Sequence, residues 1–464
     1  MDNNTIKYTE KIINYDSYFD NNKEKLFTIY KYFYIKLKNI INNTDKNNII
    51  KKLQKKITWS PSDIKTPFLY NNYNNKDYSF SEFKELFNQL KINFSKNFLK
   101  MDITKYIKNI NDEEIVNILN YIHSNRYVSI DIKQWIQYNI DVCYKYNFDH
   151  LELYYFYSST YDYNKNNNQY KNFNSTNDII TEIYIITKWI YDINPLYKIK
   201  FYFFDTPQKK YLPNDSSISL KIKNKYKLEE KWLSPMNVNS GFTSLGNTTK
   251  SPSIKDEKNY NEIFIWRREE AYFILVHELF HYLLLDTKFL NDEKYDKLFN
   301  DNVKPYLLLN ECITEIMSNF FYIMYYSIRN GVNNLDNDFL NFKEIYKNDL
   351  IFSWYQSVKV LKYFDINSLE IDELSKIKSH TAVFSYSILR PILTTEFCEI
   401  LFSFPYIAKI FGNNLNNKEC NIKSCETILN YIKKKIDILP NLYINEAIKN
   451  IVIYEDTLRR TLYV

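Results

Sequence analysis

Two of the chain's five histidines stand four residues apart within an apolar run, in the string His277-Glu278-Leu279-Phe280-His281. Residues i and i+4 of an α-helix share one face, with Cβ atoms about 5–6 Å apart, so the two imidazoles can bind one metal ion. Glu278 lies about 100° around the helix from His277. It can therefore reach a water molecule on that metal without binding the metal itself.

The residues around this string favour a buried helix. Segments 269–276 and 282–286 are apolar apart from acidic residues at their ends, and Glu269 and Glu270 suit a helix N-terminus because of the helix dipole. A buried helix carries two histidines and a glutamate only when these groups have partners. The alternative is a core helix whose histidines merely form hydrogen bonds, and the sequence favours zinc over it.

A second string, Asn310-Glu311-Cys312-Ile313-Thr314-Glu315, follows downstream. HExxH is the motif of zinc-dependent hydrolases, and the two strings together resemble the gluzincin superfamily of zinc metallopeptidases. The second string looks like the Asn-Glu-x-x-Ser-Asp string of thermolysin-like members, but it ends in Glu instead of Asp and its distance from HExxH differs from theirs.

The resemblance implies zinc ligation by His277, His281 and Glu311. It makes Asn310 and Glu315 hydrogen-bonding partners of a ligand histidine, as metal-bound imidazoles usually have. Two alternatives stay open: Glu315 could be the third ligand in place of Glu311, or Glu311 could be a solvated helix charge.

The chemistry implied is hydrolysis of a peptide bond. A zinc ion with three protein ligands keeps a fourth position for water and lowers its pKa to about 7, and Glu278 would act as the general base. The resemblance also implies a downstream side chain that stabilises the oxyanion, for which His380, Tyr386 and Arg390 are the candidates. The substrate is a peptide or protein. An endopeptidase is the default expectation, since no motif would anchor a substrate terminus.

Two other functions remain open. One is a non-catalytic structural or virion-associated protein that retains a zinc-stabilised helix pair. The presence of Glu278 favours activity, because inactive relatives of enzymes commonly lose the general base. The other is a toxin-like endopeptidase with one narrow protein target, which the motif does not distinguish from a housekeeping peptidase.

Composition sets wider limits. A net charge of +6 over 464 residues gives no reason to expect nucleic-acid binding, and no apolar stretch of about 18 residues or more predicts a membrane span. Five cysteines and no signal-peptide pattern favour free thiols in the cytoplasm or another reducing compartment. Heavy use of Asn, Lys, Ile and Tyr indicates an AT-rich genome, such as that of a large DNA virus of amoebae, a protist or a bacterium. A viral source would add the virion or host cytoplasm as locations. Oligomeric state is not predicted.

The patterns predict an α+β, mostly helical fold, with a small mixed sheet beside the zinc-binding helix pair. Residues 1–150 are predicted to form a helical N-terminal domain, and residues 151–464 the metallopeptidase domain, mixed over 151–267 and helical over 268–464. Predicted strands cover 151–158, 199–204 and 262–266. Predicted helices cover 18–41, 82–98, 112–122, 179–191, 342–363 and 379–390, the last ended or kinked by Pro391.

One loop stands out in this glycine-poor chain, because segment 239–246 holds Gly241 and Gly246, two of its four glycines. Such a pair indicates positive φ or close backbone approach, in either a cleft-lining loop or a plain turn. In gluzincins a strand just before the zinc helix forms the sheet edge and pairs with the extended substrate. By resemblance, segments 262–266 and 221–225 are the candidates for that strand.

Overall fold

The computed structural model shows the predicted class, a mostly helical α+β fold with one small mixed sheet. It describes residues 19–59, 110, 112–125, 127–161, 175–193, 195, 198–210, 238–244, 262–283, 309–369, 371–374, 376–377, 385–394, 446–447 and 449–450.

The described helices contribute apolar residues to the two cores of the protein. They are α1 (Lys23–Asn43), α2 (Lys46–Lys51), α3 (Glu113–Ser124), α4 (Ile130–Asn139), α5 (Thr176–Tyr191), α6 (Ala271–Tyr282), α7 (Leu309–Arg329), α8 (Leu335–Tyr363), α9 (Ile371–Leu374) and α10 (Arg390–Thr394). A π-helical turn, Ser385–Leu389, leads directly into α10. None of these described helices combines the length and apolar character that crossing a membrane requires.

Six described strands form one sheet in the order β1-β2-β3-β4-β6-β5. They are β1 (Leu53–Thr58), β2 (Val142–Asn147), β3 (Leu151–Tyr157), β4 (Ile199–Phe204), β5 (Gly241–Ser244) and β6 (Glu262–Ile265). The β3–β4 and β4–β6 pairs are parallel, and the other three are antiparallel. The sheet is therefore mixed, as predicted.

The sheet separates two apolar cores. In β4, Phe201 and Phe203 join the core that contains α6 and α7, whereas Tyr202 and Phe204 join the core on the other face. A strand covered on both faces is apolar throughout, which is why the sequence of β4 indicated a strand so clearly.

The helical prediction for residues 1–150 was incomplete, because β1 and β2 belong to the sheet. Strand β1 pairs with one described neighbour and is largely exposed, with two consecutive lysines. Its sequence therefore lacks the apolar alternation that marks a strand. The proposed domain boundary near residue 150 stays a prediction, and segment 82–98 lies outside the described residues.

The prediction that segment 262–266 forms the sheet edge was wrong. Strand β6 occurs there, but it lies between β4 and β5. On this side of the described sheet the last strand is β5, whose four residues are too few to show an alternating pattern. Segment 221–225 lies outside the described residues.

Pro391 does not end the helix, one of the two predicted effects, because α10 continues to Thr394. Proline has no N–H to donate to the carbonyl four residues earlier, here that of Ser387. The hydroxyl of Ser357 on α8 donates to that carbonyl instead. The preceding π-turn and this hydroxyl together accommodate the proline.

Most other predicted elements were confirmed, with changes at their ends. Helix α8 begins before the predicted residue 342, because the Asn334 side chain caps it by accepting from the Asn337 N–H at 3.1 Å. Gly331 follows the end of α7 closely. Cys143 and Cys312 are buried free thiols, and the other three cysteines lie outside the described residues.

Gly241 allows β5 to pack against α6. A Cβ at this position would lie 2.9 Å from both Ile274 Cγ2 and the backbone oxygen of Phe264. The glycine is therefore explained by close approach of two elements, the second of the two reasons expected from the sequence. Gly246 lies outside the described residues.

We expect Gly241→Ala to lower the free energy of unfolding by about 1–3 kcal/mol, the usual cost of overpacking a filled site. Urea denaturation followed by circular dichroism measures this, with Ser244→Ala on the same strand as the control. Equal stability of Gly241→Ala and wild type would show that β5 does not lie this close to α6.

Candidate metal centre

Helix α6 enters the core from a buried cluster of charges at its N-terminus. Glu270 precedes the first helical residue with φ 62°, in the left-handed region. Its carboxylate accepts from Lys210 Nζ at 2.8 Å, and Glu269 accepts from the Lys210 N–H at 3.1 Å. The two acids thus lie at the helix N-terminus, as predicted, and Lys210 compensates the cost of burying them.

Helix α7 packs against α6 and places one pair of acids opposite the pair of histidines. Both pairs have i, i+4 spacing, so each occupies one face of its helix. Glu311 Oε2 lies 3.4 Å from His277 Nε2 and 3.6 Å from His281 Nε2, and the two Nε2 atoms are 3.0 Å apart. Three potential ligand atoms therefore converge on one point.

These three residues fit a zinc ion by donor type and by spacing. Tetrahedral zinc with ligand bonds of about 2.0–2.1 Å requires its ligand atoms to be about 3.3–3.4 Å apart, and the three observed separations bracket that value. Imidazole nitrogen and carboxylate oxygen are also the ligand types of catalytic zinc sites. Within the described part of the chain, His277, His281 and Glu311 form the group able to hold a metal ion.

Glu315 lies on the opposite side of the His277 ring from Glu311. Its Oε2 is 3.0 Å from His277 Nδ1, a close contact although the N–H is not well aligned for a hydrogen bond. A ligand histidine typically presents its second nitrogen to a carboxylate in this way, which fixes the ring orientation. The geometry thus favours Glu311 over Glu315 as the third ligand. Asn310 is half-buried in the first turn of α7.

A buried arginine forms an ion pair with Glu315. Arg390 Nη1 lies 3.3 Å from Glu315 Oε1, and Arg390 Nη2 lies 3.1 Å from Asp349 Oδ2 on α8. All three side chains are almost completely buried. The guanidinium contacts these carboxylates rather than the ligand atoms, so the structure does not place Arg390 as an oxyanion-stabilising group.

The charges of the site shift each other's pKa. Burial alone lowers the pKa of His277, but contacts with Glu311 and Glu315 outweigh it and raise that pKa above its ordinary value. Burial alone raises the pKa of Glu311, but the two histidines outweigh it and hold that pKa well below the ordinary value. The two shifts mean that an imidazolium and a carboxylate stabilise one another here, and because a metal binds the neutral imidazole, metal binding competes with proton binding.

Tyr386 lies beside the three converging atoms. Its hydroxyl donates to Glu311 Oε2 at 2.8 Å, and its ring packs edge-on against His277 with centroids 6.0 Å apart. Tyr386 and Arg390 thus contact Glu311 and Glu315 respectively, so two residues four apart face two acids four apart. His380, the third candidate, lies outside the described residues.

Glu278 faces the sheet edge rather than α7. Its Oε2 accepts from Thr243 Oγ1 at 2.8 Å, and the same hydroxyl lies 3.0 Å from the Glu278 backbone oxygen. Thr243 was not predicted as a site residue. Its one available signal was position, since Thr243 stands two residues after Gly241 and so shares its face of the strand.

His123 and His150, which lie outside the HExxH string, are buried in the protein. His150 Nε2 lies 3.0 Å from Thr187 Oγ1 in the core. Burial lowers the pKa of His150, and that of His123, to about 3. Both are therefore neutral at physiological pH, and neither belongs to the group on α6 and α7.

Comparison with known proteins identifies one distant similarity and no family. No family model matches the chain, and no solved structure matches it. An uncharacterized protein of Acanthamoeba polyphaga mimivirus is 27% identical over 193 residues, which cover 40% of this chain and 50% of that protein. The matched region thus spans half the length of the relative.

We expect the wild-type protein to bind one zinc ion, and His281→Ala and Glu311→Ala to lose it, because each removes a converging atom. Glu315→Ala removes only a group that orients His277, so it should retain zinc with affinity lowered about 10–100-fold. Competition with a chromophoric chelator measures all four affinities. Loss of zinc in Glu315→Ala with little change in Glu311→Ala would reverse the assignment of the third ligand.

Proposed function

We propose that the protein is a zinc-dependent peptidase with a gluzincin-like active site between α6 and α7. The observation that carries the proposal is the convergence of His277, His281 and Glu311, with Glu278 in the same helical turn and hydrogen-bonded at the sheet edge. Each of these residues was expected in its role from the two sequence strings alone, and the contacts between α6 and α7 are consistent with those roles.

The number of converging residues supports catalysis over a purely structural ion. Structural zinc sites usually have four protein ligands, whereas catalytic sites have three and an open position. Three residues converge in the described part of the chain. Their side chains are not fully enclosed, since 13% of His281 and 18% of Glu311 is exposed. A substrate could therefore approach from this side.

Bound zinc would supply Lewis-acid chemistry, by lowering the pKa of a water molecule and polarising a carbonyl group. Glu278 would accept the proton of the attacking water and later deliver it to the leaving amine, which makes it general base and then general acid. Glu315 would hold the ring of His277, and Arg390 would hold the Glu315 carboxylate in place through the contact of its Nη1 with Oε1.

Tyr386 is the described residue best placed to stabilise negative charge on the substrate. Its hydroxyl is beside the converging atoms, and donating to Glu311 shows that it can point a proton into the site. Preorganised donors of this kind contribute about 2.7–4 kcal/mol to catalysis. His380 remains a second candidate for the same role.

The sheet edge supports a peptide as the substrate. Strand β5 is the last described strand on this side, and Thr243 brings it directly to Glu278. An extended peptide pairing with β5 would lie along the general base, as in recognition by strand addition. Binding of this kind uses the peptide backbone and needs no free terminus, which favours an endopeptidase.

The source and compartment of the protein belong to the proposal as well. The mimivirus relative and the AT-rich composition both support a large DNA virus of amoebae as the source. The action would then take place in the virion or in the cytoplasm of the host, which fits the free thiols of Cys143 and Cys312.

We expect Glu278→Gln to lower peptide cleavage by at least about 10²–10⁴-fold, because an amide cannot accept the proton of the attacking water. The zinc content should equal that of wild type, since Glu278 is not a ligand. A quenched fluorescent peptide library assays cleavage, with metal analysis of the same samples. Cleavage by Glu278→Gln at the wild-type rate would exclude the proposed general base. Zinc binding without cleavage by wild type would instead favour the structural role.

A further inference from the structure

The hydroxyl of Thr243 contacts two atoms of one residue on a neighbouring element. Thr243 Oγ1 lies 2.8 Å from Glu278 Oε2 and 3.0 Å from the Glu278 backbone oxygen. Both partners are acceptors and the hydroxyl has one hydrogen, so the two contacts form a bifurcated hydrogen bond to the tip of the glutamate side chain and to its backbone. One hydroxyl group therefore contacts Glu278 at both ends, at its carboxylate and at its backbone.

The backbone geometry explains why this hydroxyl is in place. Gly241 meets Ile274, and Thr243 meets Glu278. Two residues of a strand advance about 6.6–6.8 Å, and four residues of an α-helix advance about 6 Å. Strand β5 therefore runs alongside α6 in matching register. The missing Cβ of Gly241 allows the close approach that brings Thr243 within hydrogen-bonding distance.

We propose that Thr243 is a positioning residue that fixes the carboxylate of Glu278 in the orientation needed for proton transfer. The inference rests on the proposed peptidase function, to which it adds a residue from the sheet edge. A glutamate has several rotatable bonds, and its tip can occupy many positions when it is unrestrained. The contacts to its tip and its backbone restrict it to one of them.

The position of Thr243 on β5 also links the carboxylate of Glu278 to the strand proposed to bind the substrate. It belongs to β5, the strand along which an extended substrate would pair under the proposed function. A shift of β5 relative to α6 would therefore move the Glu278 carboxylate together with the peptide backbone. Catalytic groups displaced by about 1 Å can lose about 10²-fold in rate, so coupling the base to the substrate strand preserves their alignment.

A purely structural role would be different. In that case the hydroxyl would only attach β5 to α6, and its loss would lower stability without a specific effect on turnover. Thr243→Val and Thr243→Ser separate the two roles. Valine has nearly the same shape without a hydroxyl, and serine retains the hydroxyl without the methyl group. Thr44→Val, which removes a partly buried hydroxyl that donates to the Ile40 carbonyl at the end of α1, is the matched control away from β5.

We expect Thr243→Val to lower kcat by about 10–100-fold with little change in KM, measured on the best-cleaved member of the peptide library. Thr243→Ser should restore kcat to within a few-fold of wild type, and Thr44→Val should match wild type. Zinc content should be the same in all four proteins. Equal kcat in Thr243→Val and wild type, or failure of Thr243→Ser to restore it, would overturn the inference.

Crystal structures of zinc-loaded wild type, Thr243→Val and Thr243→Ser provide a readout that does not depend on activity. We expect the Glu278 carboxylate to keep one position in wild type and Thr243→Ser, and to change rotamer or occupy several in Thr243→Val. An unchanged carboxylate in Thr243→Val would refute the positioning role. If wild type cleaves no peptide, the proposed function fails, and the structures still decide whether Thr243 orients Glu278.

Discussion

The packing of α6 against α7 is the interaction on which the site depends. It brings a pair of histidines and a pair of glutamates, each with i, i+4 spacing, into contact, with His277 and Glu315 buried and His281 and Glu311 partly exposed. Leaving one buried charge without its partner costs about 3–5 kcal/mol, so each group depends on the others. A change that separates the two helices would therefore also separate the groups of the site.

Two further sets of contacts hold this helix pair. On one side, Arg390 joins Glu315 to Asp349, so the carboxylate that orients His277 is itself held by a buried cation. On the other side, β5 contacts α6 through Gly241 and Thr243. The contacts of Arg390 orient the carboxylate beside a potential ligand, and the contacts of β5 orient the potential general base. The site is thus held from the helical core and from the sheet at once.

The strongest sequence signals were those with a fixed spacing. His277 and His281 were identified because helical geometry relates residues four apart without knowledge of the rest of the fold, whereas Glu311 and Glu315 were implied by the resemblance of their string to that of thermolysin-like members. The strands β3 and β4 were identified because burial on both faces leaves sequences rich in Tyr, Phe and Ile. Strand β1 was missed because it is exposed and rich in lysine, and β5 because four residues contain no pattern.

Contacts between distant segments were not predictable from local patterns. The pairing of Arg390 with Asp349 and the contact of Thr243 with Glu278 each join residues far apart in sequence. Arg390 was one of three downstream candidates for stabilising the oxyanion, a role that the resemblance implied. Only the position of α8 shows that its guanidinium lies between two carboxylates. Helix periodicity identifies which face a residue occupies, but the partner on that face depends on the tertiary fold.

X-ray absorption spectroscopy of the zinc-loaded protein tests the central claim most directly. We expect a first coordination shell of two imidazole nitrogens and oxygen ligands at about 2.0–2.2 Å, with no sulfur. In His281→Ala the zinc signal should be lost. A shell that contains sulfur at about 2.3 Å, or one that His281→Ala leaves unchanged, would contradict a metal site formed by His277, His281 and Glu311.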